Sequence, residues 1–334
     1  MNILIDGGTS RAYEFKNAKQ RWEDGELKLL IATIKERGEK IDLLILTHVD
    51  DDHIGGILKW LGKDQEAHLL IGSVWFNSGR LINEYFNESE VEENLIKLEV
   101  TDPSNPDTSI RQGVVFENYI TKYGIWKRQL IIAGDKKEAQ GITFYILSPN
   151  EEKLQSLRRK WDRETPSTDT GGGTDDYHHT LKALIESDLF TEDTAPHNGS
   201  SIAFLLRYQN TDCLFLADAH PSIVVESLKN LGFSKEKPVQ AALVKLSHHG
   251  SKANSSTAMF DMIESNTFVI STNGDVHNHP DKQLLARLIS HYPKATLYFN
   301  YSQVISKVFT EQDYQDFPDF RPLSCQNEEF TYDH

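Results

Sequence analysis

Residues 47–56 (THVDDDHIGG) constrain the fold and the chemistry of this chain more than any other stretch. They follow residues 41–46, a nearly continuous apolar run typical of a strand covered on both faces. The segment places His48, His53 and the aspartates at 50–52 within six positions. Carboxylates this close repel one another, and a divalent cation removes that cost because carboxylates and imidazoles are its ligands. The pattern therefore predicts a metal site at the end of a strand.

Two other interpretations of this segment were weighed. An acidic surface loop with incidental histidines is the plainer one, but the spacing of the histidines and aspartates favours a metal site. An EF-hand loop would place Asp50, Asp52 and Gly55 at its first, third and sixth positions, but Leu61 stands where that loop needs a bidentate glutamate. Gly55 and Gly56 would let a helix begin close to the site.

Apolar periodicity along the chain predicts alternating strands and helices, which is the α/β class. We expect strands at residues 2–5, 41–46, 71–76, 142–147, 202–207, 213–217, 241–246, 268–271 and 296–299. We expect helices at residues 27–34, 81–98, 110–123, 151–161 and 281–290, and a surface loop at 164–179.

Composition limits the classes of function. The formal net charge of −15 does not favour nonspecific nucleic-acid binding through the overall field, although bound metal ions would change the local sign. Two cysteines, Cys213 and Cys325, do not make a disulfide framework and fit a reducing compartment. Residues 1–8 lack signal-peptide features, and no apolar run reaches the roughly 18 residues that span a bilayer. We expect a soluble, cytoplasmic protein without membrane contacts.

The metal-ligand pattern resembles that of the metallo-β-lactamase superfamily, whose signature His-x-His-x-Asp-His follows a strand. Residues 48–53 read HVDDDH, with Asp50 in place of the second histidine. This variant, followed by two glycines, resembles the hydrolase domain of ComEC-type DNA-uptake proteins. Later segments match the same subfamily in the same order: 198–202 (NGSSI), 213–218 (CLFLAD, with Ala217 where glycine is usual), 243–251 (LVKLSHHGS) and His279-Pro280.

The resemblance covers roughly residues 1–60 and 195–300. It implies an α/β fold, the αββα four-layer sandwich, as a single domain over residues 1–334. A helical insertion at about 79–196 would interrupt it, and nothing is carried over to that part. The chain would be a free-standing version of the domain, without the membrane channel.

The resemblance also implies two divalent metal ions, Zn²⁺ or Mn²⁺. His48 and Asp50 would bind one ion, Asp52 and His53 the other, and Asp218 would bridge them. Because Asp50 replaces a neutral histidine, the first site is harder and more anionic, which shifts preference toward Mn²⁺.

Two further ligands are less strongly specified by the resemblance. One histidine of the pair 248/249 would complete the second site. We favour His249, which leaves His248 to contact the scissile phosphate or the leaving group. His197 lies 21 positions before Asp218, about where the superfamily places another ligand of the first site. Competence-type members usually lack that histidine, so a surface histidine beside a proline is the alternative.

Catalytic roles follow from the same comparison, with Asp52 counted among the catalytic residues as well as the ligands. Lys245 would stabilise charge on the phosphoryl group, or else point to solvent from its strand. His279 would act as a general acid or a phosphate donor, or else cap the next helix. Asp6 resembles the superfamily's N-terminal aspartate, which supports the metal loop from outside the ligand shell.

Two other polar clusters have plainer interpretations. Residues 177–179 (YHH) could bind metal, but a polar loop beside a glycine run is the simpler context. Residues 158–161 (RRKW) could contact nucleic acid through charge and stacking, although such runs are more often a solvated helix face.

Three functions remain open from sequence. The first is a phosphodiesterase or nuclease in which a metal-bound hydroxide attacks DNA or RNA. The second is a small-molecule hydrolase for an ester, a cyclic nucleotide or a lactone, which the acidic composition fits slightly better. The third is a partner-gated subunit of a bacterial defence or nucleic-acid-processing assembly, with a protein partner bound through the middle insertion. A basic groove beside the metal site would favour the nuclease. Oligomeric state is not predicted.

Overall fold

A computed structural model describes residues 1–86, 109–161, 175–274 and 278–325, without the side chains of residues 160 and 161. Its contacts divide the chain into two compact units. The first comprises Met1–Ile131 with Glu151–Pro166, and the second Ile132–Asn150 with Ser167–His334. Both units mix helices and strands, so the predicted α/β class is confirmed. A single domain with an insertion at 79–196 stays a prediction.

The first unit is built around a short parallel sheet. Its elements are β1 (Ile3–Ile5), α1 (Ser10–Tyr13), β2 (Glu14–Lys16), β3 (Trp22–Asp24), α2 (Glu26–Glu36), β4 (Leu43–Ile45), α3 (Asp51–Lys63), α4 (Ala67–Leu70), β5 (Val74–Trp75), α5 (Gly79–Tyr85), α6 (Ser109–Lys122) and α7 (Glu151–Trp161). Strand β4 lies between β1 and β5 and is entirely buried, as the continuous apolar run predicts. Strands β2 and β3 form a separate antiparallel hairpin.

The second unit contains the larger sheet. Its elements are β6 (Lys136–Ala139), β7 (Ile142–Ser148), α8 (Leu181–Glu186), α9 (Pro196–Gly199), β8 (Ala203–Tyr208), β9 (Thr211–Phe215), α10 (Pro221–Asn230), β10 (Val239–Lys245), a 3₁₀ turn (Ser247–Gly250), α11 (Thr257–Phe260), β11 (Ile263–Glu264), β12 (Thr267–Ile270), α12 (Lys282–His291), β13 (Thr296–Phe299), α13 (Ser302–Val308), α14 (Glu311–Asp316) and β14 (Arg321–Ser324).

The order of these strands decides which loops share an edge. The sheet runs β14-β13-β12-β10-β9-β8-β7-β6, with β11 paired to β10. Strands β9, β10, β12 and β13 are parallel, whereas β8 is antiparallel to β9. The loops after β9, β10 and β12 therefore meet the segment before β8 at one edge. Polar residues predicted as site residues occupy these loops, and open parallel sheets bind ligands at this edge.

Helix α3 begins earlier than the glycine pair suggests. It starts at Asp51, so Asp52 and His53 lie in its first turn, and Gly55 and Gly56 lie inside it. The glycines permit close packing rather than the start of the helix. A Cβ on Gly56 would lie 2.0 Å from the carbonyl oxygen of Gly7.

Several elements differ in length from the sequence prediction. The strand expected at 71–76 is limited to Val74–Trp75, because residues 67–70 form α4. The helix expected at 81–98 runs from Gly79 to Tyr85, and residues 87–108 lie outside the described residues. Most of the loop expected at 164–179 also lies outside them. The β2–β3 hairpin and the helices α8, α10, α13 and α14 were not predicted.

No helix within the described ranges is long and apolar enough to cross a membrane. The cytoplasmic location stays a prediction. Both cysteines are free thiols, and Cys213 is half-buried.

Candidate metal centre

Asp6 connects the metal loop to the sheet of the first unit. It follows β1, and the segment starting at Thr47 follows the neighbouring parallel strand β4, so both lie at the same sheet edge. The Thr47 backbone N–H donates to Asp6 Oδ1 at 2.8 Å, and the Thr47 hydroxyl donates to Asp6 Oδ2 at 2.7 Å. These contacts agree with the supporting role predicted for Asp6.

The same carboxylate orients both histidines of the loop. His53 Nδ1 lies 2.8 Å from Asp6 Oδ2, so this nitrogen carries the proton and donates it. The Thr47 hydroxyl gives its proton to Asp6 and accepts at 3.1 Å from Nδ1 of His48. Both imidazoles therefore carry a proton on Nδ1, which leaves Nε2 as the nitrogen that can ligate a metal.

Each Nε2 atom faces an aspartate of the same loop. His48 Nε2 lies 3.6 Å from Asp50 Oδ2, and His53 Nε2 lies 4.0 Å from Asp52 Oδ1. The two imidazole rings are 4.0 Å apart between centroids. Both histidines are buried. The loop thus groups its donors in the two pairs predicted from the sequence, although their binding of ions stays a prediction.

The third aspartate of the loop has a different environment. Asp51 is exposed, and its Oδ1 accepts a 2.8 Å hydrogen bond from the side chain of Gln112 on α6. A Cβ added to Gly55 would also lie 2.8 Å from this oxygen. Asp51 therefore ties the helix to α6 and is not paired with an imidazole of the loop.

A second cluster of donors lies at the shared edge of the sheet in the second unit. Asp218 follows β9, and His248 and His249 follow the adjacent strand β10. His248 Nε2 lies 3.5 Å from Asp218 Oδ2. The backbone N–H of His248 donates to the carbonyl of Ala217 at 2.7 Å, which joins the two loops directly.

Neighbouring groups fix the proton positions of the tandem histidines. His249 Nδ1 lies 2.7 Å from the carbonyl oxygen of Ser271, which only accepts, so His249 also carries its lone pair on Nε2. His248 Nδ1 lies 2.9 Å from Asn254 Oδ1. The amide nitrogen of Asn254 donates to Asp193 Oδ2 at 3.0 Å, which fixes the amide so that its oxygen faces His248. His248 is thus held in the same tautomer.

Asp193 is the carboxylate that holds this part of the edge together. It accepts hydrogen bonds from Asn254, from the side chain of Asn198 at 2.7 Å and from the backbone N–H of Ala195 at 2.8 Å. Burial alone would raise the pKa of Asp193, but these donors outweigh burial and lower it. The residue therefore stays ionised and orients Asn254, and through it His248.

The remaining predicted residues are placed as follows. His279 packs against His248, with 5.2 Å between ring centroids, and its Nδ1 lies 3.5 Å from Asp281 Oδ2. Burial would raise the pKa of Asp281, but the hydrogen bond from His279 and its charge lower it. His197 is buried on α9, before β8, at the same edge of the sheet. The Lys245 ammonium donates to the carbonyl of Leu246 at 3.0 Å.

Sequence reasoning did not identify three residues of the second cluster: Asp193, Asn254 and the buried His220. His220 Nε2 lies 3.9 Å from Asp193 Oδ2, and its ring packs so tightly on Gly199 that a Cβ there would lie 2.8 Å from it. A signal existed for His220, since it lies two residues after Asp218. Asp193 and Asn254 carry no local motif, and residues 178–179 are not in the cluster described above.

Backbone strain accompanies the Asp218 loop. Ala217 has φ +44°. This left-handed backbone conformation costs an L-residue about 1–2 kcal/mol. Glycine avoids that cost, but its greater conformational entropy in the unfolded chain lowers the free energy of unfolding by about 0.4–1 kcal/mol.

Replacing Ala217 by glycine is therefore expected to raise the free energy of unfolding by up to about 1 kcal/mol. Urea unfolding followed by circular dichroism measures this. The matched control is Ala219→Gly, because Ala219 is buried and does not have a positive φ. That variant should lose about 0.4–1 kcal/mol. Equal destabilisation by both changes would contradict the assignment of strain to Ala217.

The donor atoms fit divalent ions. Two ligand atoms that each lie 2.0–2.2 Å from one tetrahedral ion are about 3.4 Å apart. The separation of 3.6 Å for His48 and Asp50 is close to that value, and the separation of 4.0 Å for His53 and Asp52 is somewhat longer. The donors are imidazoles and carboxylates, the set that Zn²⁺ and Mn²⁺ accept.

Comparison with known proteins agrees with this chemistry. Residues 2–119 match the family model described as the metallo-beta-lactamase superfamily, which includes metal-dependent hydrolases. The matched part contains β1, Asp6 and the whole 48–53 segment. A comparison with curated proteins finds no match.

Proposed function

Starting from the superfamily match over residues 2–119, we propose that this chain is a metal-dependent phosphodiesterase that cleaves nucleic acid, of the ComEC type. The observation that carries the proposal is the Asp6 network. One carboxylate, with Thr47, sets the tautomers of His48 and His53 so that each Nε2 faces an aspartate. A purely structural acidic loop has no need for two imidazoles held in the ligating form.

The proposed ligand set follows the sequence prediction. His48 and Asp50 would hold one ion, and Asp52 and His53 the other. In the second unit, Asp218 and His249 are the proposed ligands. When bound, two divalent ions supply a nucleophile at neutral pH and neutralise charge on the phosphoryl group. His197 remains a candidate ligand, since it lies at the same sheet edge as Asp218.

The remaining residues of the second cluster would handle the substrate. His248, oriented by Asn254, would contact the scissile phosphate, and Lys245 would add positive charge near it. His279 has Nδ1 toward Asp281, so its Nε2 is the atom that would give a proton to the leaving oxygen. The pKa of Asp281 is lowered, so a negative charge stays beside His279.

Asp50 favours a phosphodiester substrate over a lactone. It replaces a neutral ligand by an anionic oxygen ligand, and oxygen-rich sites suit Mn²⁺. The segments 198–202, 213–218 and 243–251, which resemble those of competence-type domains, support the nuclease rather than a small-ester hydrolase. We propose DNA or RNA as the substrate class.

The test combines metal analysis with a substrate panel. Purified protein is assayed with and without Mn²⁺ or Zn²⁺ on single-stranded DNA, duplex DNA, RNA and bis(p-nitrophenyl) phosphate. We expect about two bound ions per chain, cleavage of a nucleic acid and the chromogenic diester, and loss of both activities after chelation. Hydrolysis of lactones or carboxylic esters alone would favour the small-molecule hydrolase. Activity that appears only with a partner protein would favour the gated subunit, and activity unaffected by chelation would refute a metal-dependent enzyme.

A further inference from the structure

An exposed tryptophan stands among lysines on the β2–β3 hairpin of the first unit. The Trp22 side chain is 57% exposed, which is high for an indole in a folded protein. Three ammonium groups lie over its ring: Lys59 at 5.0 Å, Lys16 at 5.2 Å and Lys63 at 5.6 Å from the ring centroid. We call Trp22, Lys16, Lys59 and Lys63 the Trp22 platform.

The charge around the platform is positive, whereas the net charge of the whole chain is negative. Glu14 is buried and lies 3.2 Å from Lys63 and 3.9 Å from Lys59, and the exposed Glu23 follows Trp22 on β3. Asp24, on the adjacent strand, pairs instead with Lys28 at 2.6 Å. The exposed Lys16 and Lys63 therefore give a local positive surface on a chain whose net charge is −15.

A second cation–aromatic pair extends this surface. The Arg11 guanidinium lies 5.0 Å from the ring centroid of Phe15, the residue before Lys16. Arg11 is exposed and Phe15 is half-buried. Basic side chains interleaved with aromatic rings are typical of surfaces that bind single-stranded nucleic acid.

The platform lies at a useful distance from the metal loop. Lys59 and Lys63 are on α3, the helix whose first turn carries Asp52 and His53. At 1.5 Å per residue, these lysines lie about 10 and 16 Å along the helix axis from Asp52. A stacked strand rises 3.4 Å per nucleotide, so about three to five nucleotides would cover that span. The helix therefore joins the platform rigidly to the predicted ligands.

We propose that the Trp22 platform binds single-stranded nucleic acid, with a base stacked on Trp22 and the adjoining phosphates contacted by Lys16, Lys59 and Lys63. A base would replace one ammonium over the ring, and the displaced ammonium would then contact a phosphate. Duplex nucleic acid fits less well, because its bases are already stacked and cannot cover the indole. This inference rests on the proposed function, since it names the strand that the site would cleave.

The test separates binding from cleavage. Anisotropy of a fluorescein-labelled 20-nucleotide single-stranded DNA is measured in EDTA, where hydrolysis cannot occur. Stacking of one base is worth about 5- to 150-fold in affinity, so Trp22→Ala should weaken binding within that range, while Trp22→Phe should retain most of the affinity. Lys16→Glu with Lys63→Glu should lower the slope of log affinity against log salt by at least about 1.4, because each phosphate contact on a single strand contributes about 0.7.

Matched controls use exposed residues elsewhere. Tyr208→Ala removes another exposed aromatic ring, and Lys229→Glu reverses another exposed lysine. Both should leave the affinity within twofold. Circular dichroism melts confirm that each variant is folded. If Trp22→Ala does not fold, the double lysine variant still tests the platform.

The outcomes decide the inference independently of the nuclease assay. Unchanged DNA affinity in Trp22→Ala and in the double lysine variant would overturn it, as would tighter binding of duplex DNA. Trp22-dependent binding to phosphatidylserine vesicles without binding to DNA would identify a membrane surface and also overturn it. If DNA binds through Trp22 but nothing is cleaved, the proposed function fails and the platform stands. If DNA is cleaved and the platform variants bind normally, the proposed function stands and the inference about the platform fails.

Discussion

Asp52→Ala protein is expected to lose more than about 100-fold in its rate of phosphodiester hydrolysis while keeping its fold. Loss of a group outside the ligand shell typically costs 10- to 100-fold, and Asp52 is proposed as a direct ligand, so its loss should cost more. Stability should change by less than about 1 kcal/mol. Asp52 is partly exposed in the first turn of α3, where a carboxylate contributes about 0.3–1 kcal/mol.

The matched control is the neighbouring aspartate. Asp51→Ala makes the same change of charge one residue away but removes only the hydrogen bond to Gln112. Its rate should stay within a few-fold of wild type. A graded comparison comes from Asp6→Asn, which should weaken Mn²⁺ binding by about 10- to 100-fold in a chelator competition. Rates on bis(p-nitrophenyl) phosphate at saturating Mn²⁺ would decide the matter, and full activity in Asp52→Ala would refute the proposed centre.

Replacing Asp313 by asparagine is expected to lower the free energy of unfolding by about 3–5 kcal/mol, because it leaves a buried cation without its counter-ion. The Lys282 ammonium lies 2.6 Å from Asp313 Oδ2, and both side chains are fully buried. The carboxylate also accepts from the backbone N–H of Leu181 at 2.7 Å and from the N–H and hydroxyl of Thr310. It thereby ties α8 and α14 to the start of α12.

The two partners should not be equivalent. Lys282→Met leaves Asp313 with its three other donors, so it should cost less than Asp313→Asn, which leaves Lys282 with the Tyr177 carbonyl at 3.3 Å. The double variant should recover part of the loss, because no charge remains buried. Urea unfolding of the four proteins gives these differences. Equal losses in both single variants, or additive losses in the double variant, would contradict the account.

The Asp313–Lys282 pair should also make the stability of the protein depend on pH in the acid range. Burial would raise the pKa of Asp313, but hydrogen bonds from Lys282, Leu181 and Thr310 outweigh it and hold the pKa below its ordinary value. A depressed pKa stabilises the folded state above the unfolded value of about 3.9, and this contribution disappears as the pH falls through the folded pKa. Below about pH 4 the wild type should therefore lose stability more steeply than Asp313→Asn.

The sequence predicted those parts of the fold whose signals are local. The apolar run before Thr47, the spacing of the loop ligands and the strand Thr296–Phe299 are all readable within a few residues. The length of the strand at 71–76 and the start of α3 were not, because packing decides them. The mostly polar β2–β3 hairpin lacks an apolar alternation, so its exposed tryptophan was not predicted to lie on a strand.

The candidate site divides in the same way. Histidines and aspartates with motif spacing were found, whereas Asp193 and Asn254 were not. They lie 61 residues apart and are joined by a hydrogen bond. No short window of sequence holds both, so only the folded chain relates them to His248.

The contact between Gly56 and Gly7 limits which substitutions the metal loop can tolerate. A methyl group at position 56 would meet the Gly7 carbonyl at 2.0 Å, and one at position 7 would meet the backbone of Ile57 at 2.8 Å. Either methyl would force apart the two chain segments that carry Asp6 and His53, whose side chains are joined at 2.8 Å. Two residues without a side-chain functional group thus constrain the metal loop, and an alanine at either position should weaken the hydrogen bond between Asp6 and His53.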